Sequence, residues 1–156
     1  WKYRNVEADR DVPDDIDRRY RAAFDDLACD PGVGSAHFEI RAEEAEFNGD
    51  FPGALEYMDK AVAVDPRPLL RNERWKIMAK HGDQQIVKQA VQEMDQAKAN
   101  KDFAGTWSIL LPALAETYAQ ALKVSGKPMR QLNQFAAGMS DAEIGSIIRK
   151  VHSGRR

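Results

Sequence analysis

The 156 residues of this chain include 43% hydrophobic and 31% charged residues and carry a formal net charge of −2, a composition typical of a globular protein rather than a disordered one. Cys29 is the only cysteine, which excludes a disulfide within the chain. No apolar run approaches the ~18 residues that a membrane-spanning helix needs. The length predicts a single domain covering residues 1–156.

The charges are unevenly distributed along the chain. Residues 1–66 contain 8 Lys/Arg and 17 Asp/Glu, which gives −9, whereas residues 67–156 contain 15 and 8, which gives +7. The acidic and basic halves are expected to attract each other, either within one molecule or between copies in a homo-oligomer. The other interpretation is that the charged halves bind a charged ligand.

The first four residues, Trp-Lys-Tyr-Arg, are aromatic and basic, as segments beside a membrane often are. A soluble domain with a membrane anchor upstream of this chain is therefore one interpretation. We favour the cytoplasm.

Helical periodicity runs through nearly every segment, and no segment alternates as a strand does. A first helix is expected after the acidic residues 11–17, with residues 1–35 forming this helix and a linker. The second helix spans about 36–47 and the third about 51–64, where apolar residues recur at helical spacing. Pro66 and Pro68 end the third helix.

Five further helices follow. The fourth carries Leu69 and ends at residues 81–83, and the fifth runs from there to about residue 100. The sixth covers about 103–124 and is expected to bend at Pro112. Two short helices finish the chain, the last of which opens with Ser140 and Glu143 at capping-box spacing. About eight helices joined by short turns predict an all-α fold of antiparallel hairpins.

Residues 36–66 carry the features of a known helical repeat. Small residues occupy positions 42, 54 and 61, the turn is Gly49-Asp50-Phe51, and Pro66 closes the unit. These features resemble a tetratricopeptide repeat. The resemblance implies a short solenoid of stacked hairpins over residues 36–99, followed by C-terminal helices over 100–156.

Two alignments of a degenerate second repeat stay open. An offset of 33 residues pairs Asp50 with Asp83 and Ala61 with Met94. An offset of 52 residues instead pairs Ala61 with Ala113. We prefer the first, because it treats the fourth and fifth helices as one hairpin at about 69–99.

The resemblance also implies a binding groove lined by the first helix of each hairpin. The second helix would present an acidic stripe that ends in an aromatic residue, and the fourth would present an amide and two lysines. The expected partner-binding residues are Glu39, Glu43, Glu46, Phe47, Asn72, Lys76 and Lys80. Such a groove is expected to bind a peptide or a partner subunit. The alternative is that both stripes are solvated helix faces.

Catalytic and metal-binding patterns are weak. His37, His81 and His152 are far apart in the sequence, and no two of them have the i, i+4 spacing of a metal site. Cys29 has no identifiable base near it in the sequence. We therefore expect a non-enzymatic protein–protein interaction module with no cofactor and no metal.

Two other functions stay open. The basic C-terminal half could make the protein a nucleic-acid-binding regulator, because clustered cations neutralise phosphates. The residues that would do so are Arg149, Lys150, Arg155 and Arg156. The protein could also be a structural subunit of a larger assembly held together by its two oppositely charged halves.

Overall fold

The structure, a computed structural model, describes residues 18, 19, 22, 23 and 34–154. Seven helices lie between residues 34 and 154, and the described residues form no strand. The all-α prediction is confirmed. The described residues before 34 are helical, while the rest of the predicted first helix, together with Cys29, lies outside the described residues.

The chain divides into two compact units, Trp1–Pro66 and Arg67–Arg156. The boundary coincides with the change from an acidic to a basic sequence. The single domain stays a prediction.

Residues 34–64 of the first unit form a helical hairpin made of α1, Gly34–Phe47, and α2, Phe51–Val64. Gly49 turns the chain with a φ of 76°, a left-handed conformation that glycine adopts at little cost. The Asp50 side chain then accepts a hydrogen bond from the Gly53 amide at 3.0 Å. This bond satisfies one of the amide groups that a helix start leaves without a partner. Helix α2 therefore begins where the Gly-Asp turn predicts it.

Small residues are buried in this hairpin. Ala42 on α1 and Ala54 and Ala61 on α2 are at most 1% exposed, and the two helices pack on each other. A methyl side chain lets two helix backbones come close, while larger neighbours such as Met58 fill the space at the sides. The predicted pairing of residues 36–47 with 51–64 is confirmed.

The second unit contains five helices: α3 Pro68–His81, α4 Gln84–Ala99, α5 Trp107–Ser125, α6 Gln131–Phe135 and α7 Asp141–Ser153. Helix α5 is central, because it packs against each of the other four. Helices α3 and α4 form a hairpin whose turn has the same Gly-Asp sequence as that of the first unit, although Gly82 has a φ of −65° where Gly49 has one of 76°. The Asp83 side chain accepts a hydrogen bond from the Ile86 amide at 2.9 Å and caps α4.

Helix α5 begins later than predicted, at Trp107 instead of near residue 103. Gly105 has a φ of 87°, which interrupts a right-handed helix, and residues 101–106 form turns instead. Phe103 lies in this turn and is buried, with its ring centroid 6.0 Å from that of Trp75. The helix is continuous through Pro112, whose predicted bend stays a prediction.

The predicted capping box at the start of α7 is confirmed. Ser140 Oγ accepts a hydrogen bond from the Glu143 amide at 3.2 Å, and the Glu143 carboxylate accepts one from the Ser140 amide at 2.9 Å. The C-terminal end of α5 is also encoded by a local signal. Gly126 adopts a φ of 70°, a left-handed conformation that ends the helix.

Aromatic rings connect the helices of the second unit. The ring of Phe135 on α6 stacks on that of Tyr118 with centroids 4.0 Å apart and planes 4° apart, and it meets Trp107 edge-on at 5.4 Å. Trp75 is 2% exposed and belongs to the core. Trp107 is half-buried between Phe103 and Phe135. The aromatic residues thus fix α6 and the turn before α5 onto the unit.

Tyr118 makes the stability of the second unit sensitive to alkaline pH. Its hydroxyl donates to the Asp95 carboxylate at 2.8 Å. Burial raises the pKa of Tyr118 above its usual range, and the hydrogen bond to Asp95 and the negative charge of Asp95 raise it further. The folded protein therefore holds the phenol proton more tightly than the unfolded chain does. The resulting stability is fully present below about pH 10, the ordinary tyrosine value, and is lost as the pH rises above it.

We expect the free energy of unfolding to fall more steeply above pH 10 in the unsubstituted protein than in Tyr118→Phe. A single tyrosine contributes at most about 1.4 kcal/mol per pH unit in this range. Urea unfolding followed by circular dichroism between pH 7 and pH 12 measures both slopes. Between pH 7 and pH 9 the two slopes should coincide, which serves as the internal control. Equal slopes above pH 10 would contradict the expected effect.

Candidate ligand-binding cleft

The predicted partner-binding residues lie on one helix in each unit. Helix α1 of the first unit carries the acidic stripe, in which Glu43 is exposed, Glu39 and Glu46 are half-buried, and Phe47 is 73% exposed. Helix α3 of the second unit carries the other three residues. Their role in binding stays a prediction. The structure brings the three residues of α3 together in a cleft within the second unit.

This cleft has a volume of about 360 Å³ and lies between α3, α5 and the C-terminal end of α7. We refer to it as the three-helix cleft. Its lining residues are Asn72, Lys76, Ala79 and Lys80 on α3, Ala113, Glu116, Thr117 and Gln120 on α5, and Lys150, Val151 and Gly154 at the end of α7. Its volume falls within the range of about 300–1,000 Å³ that is usual for ligand sites.

Helical periodicity explains why α3 contributes these residues. Asn72, Lys76 and Lys80 follow one another at steps of four, so they lie along one face of the helix. Ala79 lies beside them and is buried, which allows a neighbouring chain segment to come close to the backbone. The stripe therefore changes from a buried amide at its start to two exposed lysines.

The floor of the cleft is a buried polar pair. Asn72 and Thr117 are 6% and 4% exposed, and the Thr117 hydroxyl donates to the Asn72 side-chain oxygen at 2.8 Å. The same hydroxyl lies 3.1 Å from the carbonyl oxygen of Ala113, one turn earlier on α5. A buried polar group costs free energy unless it is hydrogen-bonded. The pair therefore joins α3 to α5.

The rim of the cleft is cationic. Lys76, Lys80 and Lys150 line it together with one carboxylate, that of Glu116. Lys150 Nζ lies 2.8 Å from the Glu116 Oε1 atom, with 68% and 46% of the two side chains exposed. An ion pair this exposed contributes less than about 1 kcal/mol, so a ligand can replace it at small cost. Lys76 also forms an exposed pair, at 3.3 Å, with Glu73, which lies outside the lining.

A lysine of α5 holds the third wall in place. The Lys123 ammonium donates to the carbonyl oxygen of Val151 at 2.7 Å and to that of Gly154 at 3.1 Å. The last carbonyl groups of a helix have no partner within the helix, so a cation there supplies hydrogen bonds and a favourable charge. Lys123 thereby fixes the end of α7 beside the cleft.

The residues predicted for nucleic-acid binding are divided by the structure. Arg149 is exposed on α7, and Lys150 lines the three-helix cleft, where it pairs with Glu116. Arg155 and Arg156 lie outside the described residues. The nucleic-acid function stays a prediction.

The sequence interpretation missed the α5 and α7 walls of the cleft. Glu116 and Thr117 are adjacent polar residues of the largely apolar helix α5, and Gln120 follows about one turn later. Thr117 is buried even so, and such a residue needs a polar partner. This interruption of the apolar pattern is the signal that would have identified the α5 wall.

Two further features were sought among the described residues, a metal-binding group and a membrane-spanning helix. Within residues 18, 19, 22, 23 and 34–154, no three His, Cys, Asp or Glu side chains are grouped so as to hold a metal ion. In the same part of the chain, none of the helices has the length and apolar character needed to cross a membrane.

The chain matches no protein-family model. Comparison with curated proteins and with solved structures likewise finds no match.

Proposed function

We propose that this chain is a non-enzymatic interaction module that holds a peptide segment of a partner protein in the three-helix cleft. The observation that carries the proposal is that three helices together supply the floor and the rim of the cleft. A buried hydrogen-bonded floor, Asn72 with Thr117, lies below an exposed rim of charged side chains contributed by three helices. A floor that is fixed and a rim that remains in water are typical of recognition sites.

The two hairpins support a repeat-like interpretation of the fold. Asp50 and Asp83, which are 33 residues apart, each cap the second helix of a hairpin through the amide three residues later. This is the spacing of the preferred tetratricopeptide-like alignment, in which Ala61 corresponds to Met94, and both of these residues are buried. Ala113, the counterpart of Ala61 in the other alignment, is exposed. In the resembled family, the first helices of such hairpins line the binding surface, and α3 has that position here.

The size of the cleft favours anchoring by a side chain. A volume of about 360 Å³ is close to the lower end of the range for small-molecule sites. Such a cleft accommodates a side chain or two of an extended segment while the rest of the segment lies across the exposed rim. Affinity would then come mainly from the anchor, with the rim charges supplying specificity and faster association.

Filling the cleft tests the proposal whatever the sequence of the peptide. Ala113 is exposed and lines the cleft, so Ala113→Trp places a large ring in the space that a ligand would occupy. Peptides are first selected on the unsubstituted protein from a phage-displayed random library. Their affinities for both proteins are then measured by fluorescence anisotropy. We expect Ala113→Trp to weaken their binding at least about tenfold, which corresponds to about 1.4 kcal/mol.

Ala99→Trp is the matched control. Ala99 is exposed at the end of α4, a helix that does not line the cleft. The selected peptides should bind this variant as they bind the unsubstituted protein. A selection that enriches no peptide, or peptides that bind Ala113→Trp at full affinity, would refute the proposed function.

A further inference from the structure

We infer that the bound peptide segment continues beyond the three-helix cleft and places a large apolar side chain on Leu69 and Ile109. We refer to these two residues as the apolar shelf. The inference rests on the proposed function and adds to the anchor in the cleft a second contact of stated chemistry. Its grounds are the exposure of the shelf, its position relative to the cleft and the pairing of the rim charges.

The two shelf residues are unusually exposed for their type. Among the described residues of the second unit, Leu69 and Ile109 are the large aliphatic side chains with more than half of their surface exposed, at 55% and 76%. Single exposed apolar residues are common on protein surfaces, so exposure alone identifies no site. What distinguishes this pair is its position beside the cleft.

Helical spacing places each shelf residue in line with the cleft. On α3, Leu69 precedes Lys76 by seven residues, and on α5, Ile109 precedes Glu116 by seven residues. Residues seven apart lie on one face of a helix. Lys76 and Glu116 both line the cleft, so the shelf residues lie on the two helix faces that form it.

The helix directions bring both shelf residues to the same end of the cleft. Helix α4 runs antiparallel to α5, because Gln84 at its start donates to the Val124 carbonyl oxygen at 2.6 Å, while Asp95 further along accepts from Tyr118 at 2.8 Å. Helix α3 forms a hairpin with α4 and therefore runs in the same direction as α5. Residues that precede the cleft on α3 and on α5 thus lie beyond the same end of it.

Ala113 joins the shelf to the cleft. It is exposed, lines the cleft and lies one turn after Ile109 on α5, so an apolar surface continues from one to the other. The seven residues between Ile109 and Glu116 span about 10 Å along the helix axis. An extended peptide covers this distance in about three residues. One segment therefore reaches both the cleft and the shelf.

The pairing of the rim charges favours an apolar second contact over a charged one. Lys76 pairs with Glu73 at 3.3 Å, Lys150 pairs with Glu116 at 2.8 Å, and Lys80 is engaged as well. A charged group of the ligand would have to replace such interactions. An apolar side chain on the shelf only displaces water, and removing apolar surface from water is favourable in proportion to its area.

The decisive experiment compares two double variants, using the peptides selected on the unsubstituted protein. Leu69→Ala with Ile109→Ala removes the shelf. The matched control, Gln89→Ala with Gln92→Ala, removes two exposed neutral side chains from α4, which does not line the cleft. By fluorescence anisotropy we expect the shelf variant to weaken binding at least about tenfold and the control to leave it within about twofold. Urea unfolding should give both variants the stability of the unsubstituted protein, because all the truncated side chains are exposed.

A double-mutant cycle identifies the peptide residue that lies on the shelf. Each position of a selected peptide is replaced by alanine, and binding to the unsubstituted protein and to the shelf variant is compared. We expect one large apolar peptide residue, about three positions from the anchor, to contribute to binding of the unsubstituted protein and to contribute little to binding of the shelf variant. A general effect on the fold would weaken the contributions of all positions and would not single out this residue.

Selected peptides that bind the shelf variant at full affinity would overturn the inference, and so would a cycle that couples no apolar peptide residue to the shelf. In either case, loss of binding in Ala113→Trp would leave the proposed function standing. A second copy of this chain is the other occupant that an apolar surface accepts. If sedimentation equilibrium showed a dimer that the shelf variant lost while its peptide affinity stayed unchanged, the shelf would serve self-association and the inference would be overturned.

Discussion

Replacing Phe135 with alanine is expected to lower the free energy of unfolding of the second unit by about 3–5 kcal/mol. The side chain is 2% exposed and stacks on Tyr118 with ring centroids 4.0 Å apart. It also contacts Trp107, and the Lys98 ammonium lies 5.8 Å from its ring centroid. Truncation removes the ring and leaves a cavity that the rigid neighbours cannot close, so the transfer and cavity costs add. Urea unfolding followed by circular dichroism measures the change.

Ile109→Ala is the control for this prediction. Ile109 is also a large apolar residue of the second unit, but it is 76% exposed on α5. Its truncation should change the free energy of unfolding by less than about 0.5 kcal/mol. A loss below about 1 kcal/mol in Phe135→Ala would show that the aromatic residues do not form the stabilising core inferred here.

Replacing Ala61 with leucine is expected to destabilise the first hairpin by about 1–3 kcal/mol. Ala61 is fully buried in α2, which packs on α1. The larger side chain must push the two helices apart or adopt a strained rotamer, because a close-packed interface has no spare volume. Hydrogen exchange at the amides of α1 and α2 should become faster, while exchange in the second unit reports any effect outside the hairpin.

The matched control, Ala63→Leu, changes the same residue type on the same helix. Ala63 is exposed, so the added atoms enter solvent and α2 keeps a good helix former. Its exchange rates should remain those of the unsubstituted protein. If Ala61→Leu exchanged no faster than Ala63→Leu, alanine at position 61 would not be required for close packing of the hairpin.

The helices could be predicted because their ends are encoded locally. Gly49 and Asp50 form a turn and a cap within five residues of sequence, and Ser140 and Glu143 do the same for α7. Such signals act between near neighbours in the chain, so a single sequence displays them. The difference between the predicted and the observed start of α5 has a local cause as well. Gly105 takes a left-handed conformation that the apolar pattern around it does not reveal.

The cleft could be predicted only in part, because its walls come from distant parts of the chain. The stripe Asn72, Lys76 and Lys80 follows from helical spacing on α3 and from the resemblance. The presence of Lys150 beside them depends on how α7 packs against α5, which periodicity does not determine. The sequence pattern therefore groups Lys150 with the other cations of the basic C-terminal half, whereas the structure pairs it with Glu116.

A cleft built from three separate helices would also determine how the unit responds to a bound ligand. An occupant that contacts α3, α5 and α7 at once acts as a non-covalent cross-link between segments that are remote in the sequence. Because it binds only when all three are assembled, each tenfold excess of free ligand over its Kd adds about 1.4 kcal/mol to the stability of the unit. The bound protein should therefore melt at a higher temperature and resist proteolysis at α7, so occupancy could be read in cells from the survival of this one helix.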